Sequence, residues 1–378
     1  MYFVIVDGAI ALNKFDEYYN TNYFQSYTSK LEKLGFNYIK DTKSAYPSTV
    51  LNLTSLFYLD YPITEENYKN FALKNIFPVI LQKSNANGVP LIKNLKKINY
   101  KFKWFGNSSY NCKLFNLDFC LNEENKDQKR KFVSPDFATT FLRRSPIIQI
   151  HYKISNYLGI NTTLDQIFLY PQENDSLGTF INQMKNFKFK NEGYFFLIHN
   201  FLPHQPYVFN SDCILKKDLE KISIEEETKL KQSADQDKDT TIKGYKEQYK
   251  CMLKRIDEFA NFINKNDPDS NIIITSDHGH DIKNFYHLRY DSFVMVKVDK
   301  NCQKNVSNNL NVPNGIRLIL GCTVGQKFND LEKKAYYVDF EKGHFTGGRL
   351  RLDRVDPDNY YEYIKMLFDT GRIKQFNN

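Results

Sequence analysis

The stretch Asn271-Ile272-Ile273-Ile274-Thr275-Ser276-Asp277-His278-Gly279-His280 decides how this chain folds. Its isoleucines and threonine make a short β-branched, apolar run, the form of a strand buried on both faces. The run stops at Ser-Asp-His-Gly, which leaves a carboxylate and an imidazole at the carboxyl end of the strand. Two other runs are built alike. Tyr2-Phe3-Val4-Ile5-Val6 ends in Asp7-Gly8, and Tyr194-Phe195-Phe196-Leu197-Ile198 ends in His199. In α/β sheets with parallel strands, ligands bind beyond the carboxyl ends, so strand-end residues remote in sequence can converge.

Helical spacing fills the intervals. Apolar residues recur at helix period over residues 13–34, and Leu34-Gly35-Phe36 reads as a helix end leading into a strand. Residues 50–57 and 90–98 are helix-compatible, residues 100–105 read as a strand ending at Gly106-Asn107, and a long amphipathic helix is expected from Thr241 to Asn264. A strand over 292–298 and a closing helix over 360–368 complete the pattern, with further helix from about 136 to 158. Residues 107–132 and 210–240 are charge-rich and read as solvated excursions. Strands alternating with helices predict a doubly wound α/β fold: a mainly parallel central sheet, helices on both faces, and loop insertions.

The chain has 378 residues, enough for about two to three domains by size alone. The organisation expected instead is one catalytic domain over 1–300, with residues 301–378 packed onto it. Lys+Arg 52 against Asp+Glu 44 gives a net charge of +8, mild for this length. With no zinc-finger spacing, RNP-like motif or concentrated basic stripe, nucleic acid is excluded as the expected partner. Val6-Asp7-Gly8-Ala9 lacks the several glycines of Walker or dinucleotide loops. No window is apolar enough to span a bilayer and no secretory leader is read at the start, so the expectation is a cytoplasmic protein, at most at the inner membrane face. The six cysteines form no Cys-x-x-Cys pair; Cys112 and Cys120 are near enough to pair if their loop folds back, but are expected to be reduced.

The polar strand ends carry the candidate chemistry. Carboxylate oxygens with one imidazole suit zinc or manganese, with positions left open for a substrate oxygen. Against this stands the plainer role of an aspartate at a strand end, a turn residue or helix cap. Tyr46-Pro47-Ser48-Thr49 precedes a helix, so Ser48 or Thr49 is read as its N-cap. His199 and His204 lie in Ile-His-Asn-Phe-Leu-Pro-His-Gln-Pro-Tyr, where two prolines restrict the loop and aim its side chains.

Taken in order, Val6-Asp7-Gly8, Tyr46-Pro47-Ser48-Thr49, Ile198-His199…Pro203-His204-Gln205-Pro206-Tyr207 and Ser276-Asp277-His278-Gly279 resemble the alkaline phosphatase/sulfatase superfamily. The likeness covers residues 1 to about 300 and is strongest to sulfatase-like hydrolases and phosphoglycerol or phosphoethanolamine transferases. It implies Asp7, Thr49, Asp277 and His278 as metal ligands, Thr49 as nucleophile, and His199 and His204 as substrate-binding groups, with His204 also catalytic. Asn107, just past a strand end, is read either as a turn residue or as an amide offered to a substrate oxygen. His280 and His344 are secondary candidates. One divalent ion, zinc or manganese, is expected rather than two, because no Asp-x-x-x-His set accompanies the motifs. Ala45-Tyr46-Pro47-Ser48-Thr49 departs from the Cys/Ser-x-Pro-x-Arg of formylglycine sulfatases, which points to phosphate esters. The implied substrate is a phosphate or sulfate ester, on a glycan or lipid-linked precursor. The alternatives are a sulfate ester hydrolase without formylglycine and a catalytically inactive binding relative.

Overall fold

The computed structural model describes residues 1–70, 88–106, 168–169, 174–187, 192–216, 222–223, 238–280, 282, 286–340, 350–359, 362–363 and 365–366. In chain order the strands are β1 (Tyr2–Val6), β2 (Asn37–Tyr38), β3 (Lys101–Phe105), β4 (Phe168–Leu169), β5 (Tyr194–Asn200), β6 (Ile222–Ser223), β7 (Ile272–Thr275), β8 (Val294–Lys297), β9 (Tyr336–Phe340) and β10 (Leu350–Arg354). The helices are α1 (Leu12–Tyr19), α2 (Tyr23–Glu32), α3 (Thr49–Tyr58), α4 (Pro90–Lys97), α5 (Ser176–Met184), α6 (Lys238–Asn266) and α7 (Val312–Val324).

A six-stranded sheet of order β2-β8-β7-β1-β5-β3 forms the centre. β7, β1, β5 and β3 run parallel, while β8 runs antiparallel to both β7 and β2. The mainly parallel α/β sheet read from the sequence is the observed one, with β8 as its reversed strand.

Strand alternation divides the core into two faces. Tyr2, Val4, Val6, Phe196, Ile198, Ile272 and Ile274 pack with α1, α2, α5 and α6. Phe3, Ile5, Phe195, Leu197 and Ile273 pack with α3, α4 and α7. This is the physical content of the isoleucine run: with helices on both sides, neither side-chain phase can be polar. Much of the aromatic content is spent here, as in the stacked pairs Tyr2–Phe196 at 4.9 Å and Phe15–Tyr249 at 3.8 Å between ring centroids.

One local expectation is corrected. The helix expected over 13–34 is broken into α1 and α2, because Asn20 takes a left-handed φ of 51°. The Asp16 carboxylate accepts from Tyr23 N at 3.0 Å and Phe24 N at 2.6 Å, so a side chain caps the second helix. Cys213 is bonded to Cys251 and Cys302 to Cys322, with Cα–Cα distances of 4.9 and 5.5 Å. The first ties the loop after the His204 segment to α6, and neither pair has a sequence spacing that announces it. Cys112, Cys120, the 107–132 excursion, the helical stretch near 136–158 and most of 210–240 and 360–368 lie outside the described residues.

The β9–β10 hairpin meets the segment before α3. Tyr336 N donates to the Ala45 carbonyl at 2.8 Å, and the Tyr46 and Tyr336 rings stack at 5.7 Å. The hairpin therefore braces the turn that leads to Thr49.

Candidate active site

Register places the strand-end residues together. Ile5 is level with Thr275 on β7 and with His199 on β5, so two residues further on Asp7 is level with Asp277. By the two-residue alternation Asp7, His199 and Asp277 share the phase of Phe3, Ile5 and Ile273, the face that packs α3. Thr49 is the first residue of α3, so the helix start and the strand ends meet on one side of the sheet.

The cluster is buried. Asp7 is 3% exposed, Asp277 0% and His278 3%. One ligand atom from each of these three lies within 4.8 Å of the others. His278 Nδ1 is 2.6 Å from the Gly279 carbonyl, which can only accept, so Nδ1 carries the proton and Nε2 presents its lone pair. That Nε2 lies 3.5 Å from Asp277 Oδ2 and 4.0 Å from Asp7 Oδ1. The other oxygens are already engaged. Asp277 Oδ1 accepts from Gly8 N at 3.2 Å and His278 N at 2.9 Å, and Asp7 Oδ2 is 3.3 Å from His199 Nε2. Asp7 Oδ1 and Asp277 Oδ2 are buried with no hydrogen-bond partner among the described residues. Two orphaned carboxylate oxygens beside an imidazole lone pair is an unfavourable arrangement by itself, and it fits a divalent cation.

The Thr49 hydroxyl is 3.1 Å from His278 Nε2, to which it can donate. It is not spent on the helix terminus, and the N-cap residue Ser48 makes no side-chain cap bond either. Burial opposes ionisation of Asp7, but the charge of His204 and then the hydrogen bond and charge of His199 outweigh it and hold the carboxyl well below its usual range.

His204 reaches the site through Gly8. Gly8 has a φ of +70°, which favours glycine, and a Cβ there would sit in van der Waals contact with His204, 3.5 Å from its Cδ2, so the two residues pack side by side. His204 Nδ1 donates to the Gln205 carbonyl at 2.6 Å, which leaves Nε2 available. His199 is fully buried, with Nε2 3.3 Å from Asp7 Oδ2. His280 is also turned away. Its Nε2 meets Tyr19 Oη at 2.7 Å, its Nδ1 accepts from Ile282 N at 3.2 Å, and its ring packs edge-on to Tyr245. Asn107 and His344 lie outside the described residues.

Several residues of this region had no sequence signal. Tyr245 donates to the Gly8 carbonyl at 3.0 Å and accepts from Ile10 N at 3.2 Å, supporting the Asp7 turn. Gln248, also on α6, accepts from Val208 N and Phe209 N and donates to the His204 and Pro203 carbonyls. One buried amide thus satisfies four main-chain groups of the His204 loop. Gln248→Leu is expected to destabilise the protein by about 1–3 kcal/mol, because those groups lose their partners in a buried setting. Urea denaturation measures it, and an unchanged midpoint and slope would refute the loop-anchor role.

No protein-family model and no curated protein sequence matches the chain. Solved structures do. The C-terminal periplasmic domain of Escherichia coli EptC, in complex with zinc, is 10% identical over 94% of this chain and 92% of its own, with a TM-score of 0.49. The lipooligosaccharide phosphoethanolamine transferase A of Neisseria meningitidis is 14% identical over 85% of this chain and 54% of its own, with a TM-score of 0.45. The phosphonate monoester hydrolase of Silicibacter pomeroyi is 10% identical over 100% of this chain and 95% of its own, with a TM-score of 0.45.

The expectation of a cytoplasmic location is corrected. Among the described residues Cys213–Cys251 and Cys302–Cys322 are disulfides, which form and persist in oxidising compartments outside the cytosol. Among the described residues, no helix is long and apolar enough to cross a membrane.

Proposed function

We propose that this chain is a metal-dependent enzyme acting on phosphate esters outside the cytoplasm, as a hydrolase or a transferase of substituted phosphate, with Thr49 as nucleophile. The observation that carries the reading is the Thr49 hydroxyl, 3.1 Å from His278 Nε2 at the edge of the Asp7, Asp277 and His278 cluster and unused by its own helix. Asp7 Oδ1, Asp277 Oδ2, His278 Nε2 and Thr49 Oγ1 would hold one divalent ion, zinc or manganese. When bound, the ion lowers the pKa of the threonine hydroxyl and draws charge from the phosphoryl oxygens.

The chain's own residues supply the rest. His199 fixes the Asp7 carboxylate through Oδ2, so that Oδ1 faces the cluster. The start of α3 presents main-chain N–H groups and the positive end of its dipole to an anionic substrate. Thr49 Oγ1 forms a bond to phosphorus as the bond to the leaving oxygen breaks, and the hydroxyl proton passes to solvent. His204, with Nδ1 fixed on Gln205, donates a proton from Nε2 to the departing alkoxide. Water or an acceptor hydroxyl, such as that of a glycan or lipid-linked precursor, then displaces Thr49 and releases the phosphoryl group.

The test is metal analysis of the purified protein together with turnover of an aryl phosphate, a phosphodiester and an aryl sulfate. The expected result is one zinc or manganese per chain and faster turnover of a phosphate ester than of the sulfate. Preference for the sulfate favours the sulfatase alternative. A protein that takes up no metal and turns over none of the three is the inactive binding relative.

A further inference from the structure

We infer that Arg289 is a positioning residue for Thr49, coupling the turn that carries the hydroxyl to the turn that carries Asp277 and His278. The inference rests on the reading of Thr49 as nucleophile. The Arg289 guanidinium donates two hydrogen bonds to one acceptor, the Pro47 carbonyl, from Nε at 3.2 Å and Nη2 at 2.9 Å. Its own carbonyl accepts from Gly279 N at 2.8 Å. One residue therefore grips both halves of the site, two positions before Thr49 and one after His278.

The surrounding contacts show what this grip adds. Residues 288–292 are built tightly onto the Asp277 turn: a Cβ at Gly279 would run into the Leu288 carbonyl and lie 3.0 Å from that of Asp291. The same segment meets the chain upstream of Thr49 through Ser44 N on the Tyr290 carbonyl at 2.8 Å and Lys43 Nζ on Asp291 Oδ1 at 2.9 Å. Closer to Thr49, three successive carbonyls are held by side chains. Asn52 Nδ2 donates to Tyr46 at 2.7 Å and Ser48 at 3.0 Å, and Arg289 holds Pro47 between them. Asn52 belongs to α3, so its bonds tie the turn to its own helix. The Arg289 bonds tie it to the metal-ligand half. Without them the turn keeps its shape, but its nearest ties to the metal-ligand half are those at Lys43 and Ser44, five to six residues before Thr49, and its distance from His278 is less closely set. A guanidinium suits the task because its fixed fork aims two N–H groups at the same carbonyl, which an ammonium on a flexible stem does not do.

The experiment compares wild type, Arg289→Ala and Arg289→Lys, using bis(4-nitrophenyl) phosphate for turnover and zinc titration of the metal-free proteins. The expected result for Arg289→Ala is a kcat lower by about 100-fold with KM within about threefold, since misplacing the nucleophile acts on the chemical step. Added guanidinium should restore part of the rate to Arg289→Ala, and Arg289→Lys should not recover it. Zinc affinity should fall in Arg289→Ala but fall no further when Arg289→Ala is added to Thr49→Ala, because the arginine acts through that hydroxyl. Arg289→Lys carries the test if the alanine variant does not fold. Unchanged kcat, a loss confined to KM, or additive effects on zinc affinity would overturn the inference while leaving the proposed function standing. A wild type that binds no zinc and hydrolyses no ester overturns both.

Discussion

Replacing Thr49 with alanine is expected to lower kcat for phosphate-ester turnover by about 10³-fold or more, with the fold and its melting temperature nearly unchanged. The magnitude follows from losing a nucleophile where the oxyanion-stabilising groups and substrate binding remain. The small effect on stability follows from the local structure. Thr49 makes no cap bond, α3 keeps its first turn, and alanine is the best helix former for that position. Thr49→Ser separates the hydroxyl from the γ-methyl. It retains the nucleophile but loses the β-branched restriction on χ1, so it should keep a substantial fraction of the rate. Steady-state kinetics and thermal melts measure both variants, and mass spectrometry of trapped wild type should find the phosphoryl adduct on the peptide that contains Thr49. Full activity in Thr49→Ala, or an adduct elsewhere, removes Thr49 from the mechanism.

Zinc should raise the thermal stability of wild type strongly and that of Asp277→Asn hardly at all. A ligand that binds only the folded state stabilises it by about 4 kcal/mol at a thousandfold excess over its dissociation constant. Asparagine at 277 retains Oδ1, and with it the bonds from Gly8 N and His278 N, and converts only the orphaned Oδ2 into an amide. The variant therefore tests the charge and not the shape. Without metal, wild type holds two buried carboxylates against each other and Asp277→Asn holds one, so the metal-free variant should melt no lower than metal-free wild type. Calorimetry with zinc and with a chelator reads both effects. Equal zinc-dependent shifts in the two proteins would falsify the assignment of Asp277 Oδ2 to the ion.

Sequence reading succeeded where the determining interactions are local. The isoleucine run of β7, the apolar run of β1 and the aromatic run of β5 are read from period and composition, because strands buried on both faces leave no polar phase. The glycines at 8 and 279 were seen as parts of motifs. That Gly8 lies against His204, and that Gly279 yields to the Leu288 carbonyl, depends on neighbours remote in the chain. The break between α1 and α2 was missed although Asn20 and Asp16 are in plain view, because helix period in the flanking residues continues across it. The Cys213–Cys251 and Cys302–Cys322 disulfides are not legible in the sequence, because pairing across 38 and 20 residues depends on where helices α6 and α7 lie.

The sequence by itself determined the class of fold, the strand ends that carry polar groups and the types of donor they offer, since each follows from side-chain period and residue chemistry within a few positions. Tertiary structure decided which of those groups face one another. It set Asp7 level with Asp277, turned His199 onto Asp7 and His280 onto Tyr19, and brought Thr49 to His278 across 229 residues. It also gave Arg289 and Gln248 their places, which no motif marks. The physical reason is that a hydrogen bond constrains two groups only when both are present. The partner of each of these groups is chosen by the β7-β1-β5 strand order and by the packing of helices on the sheet.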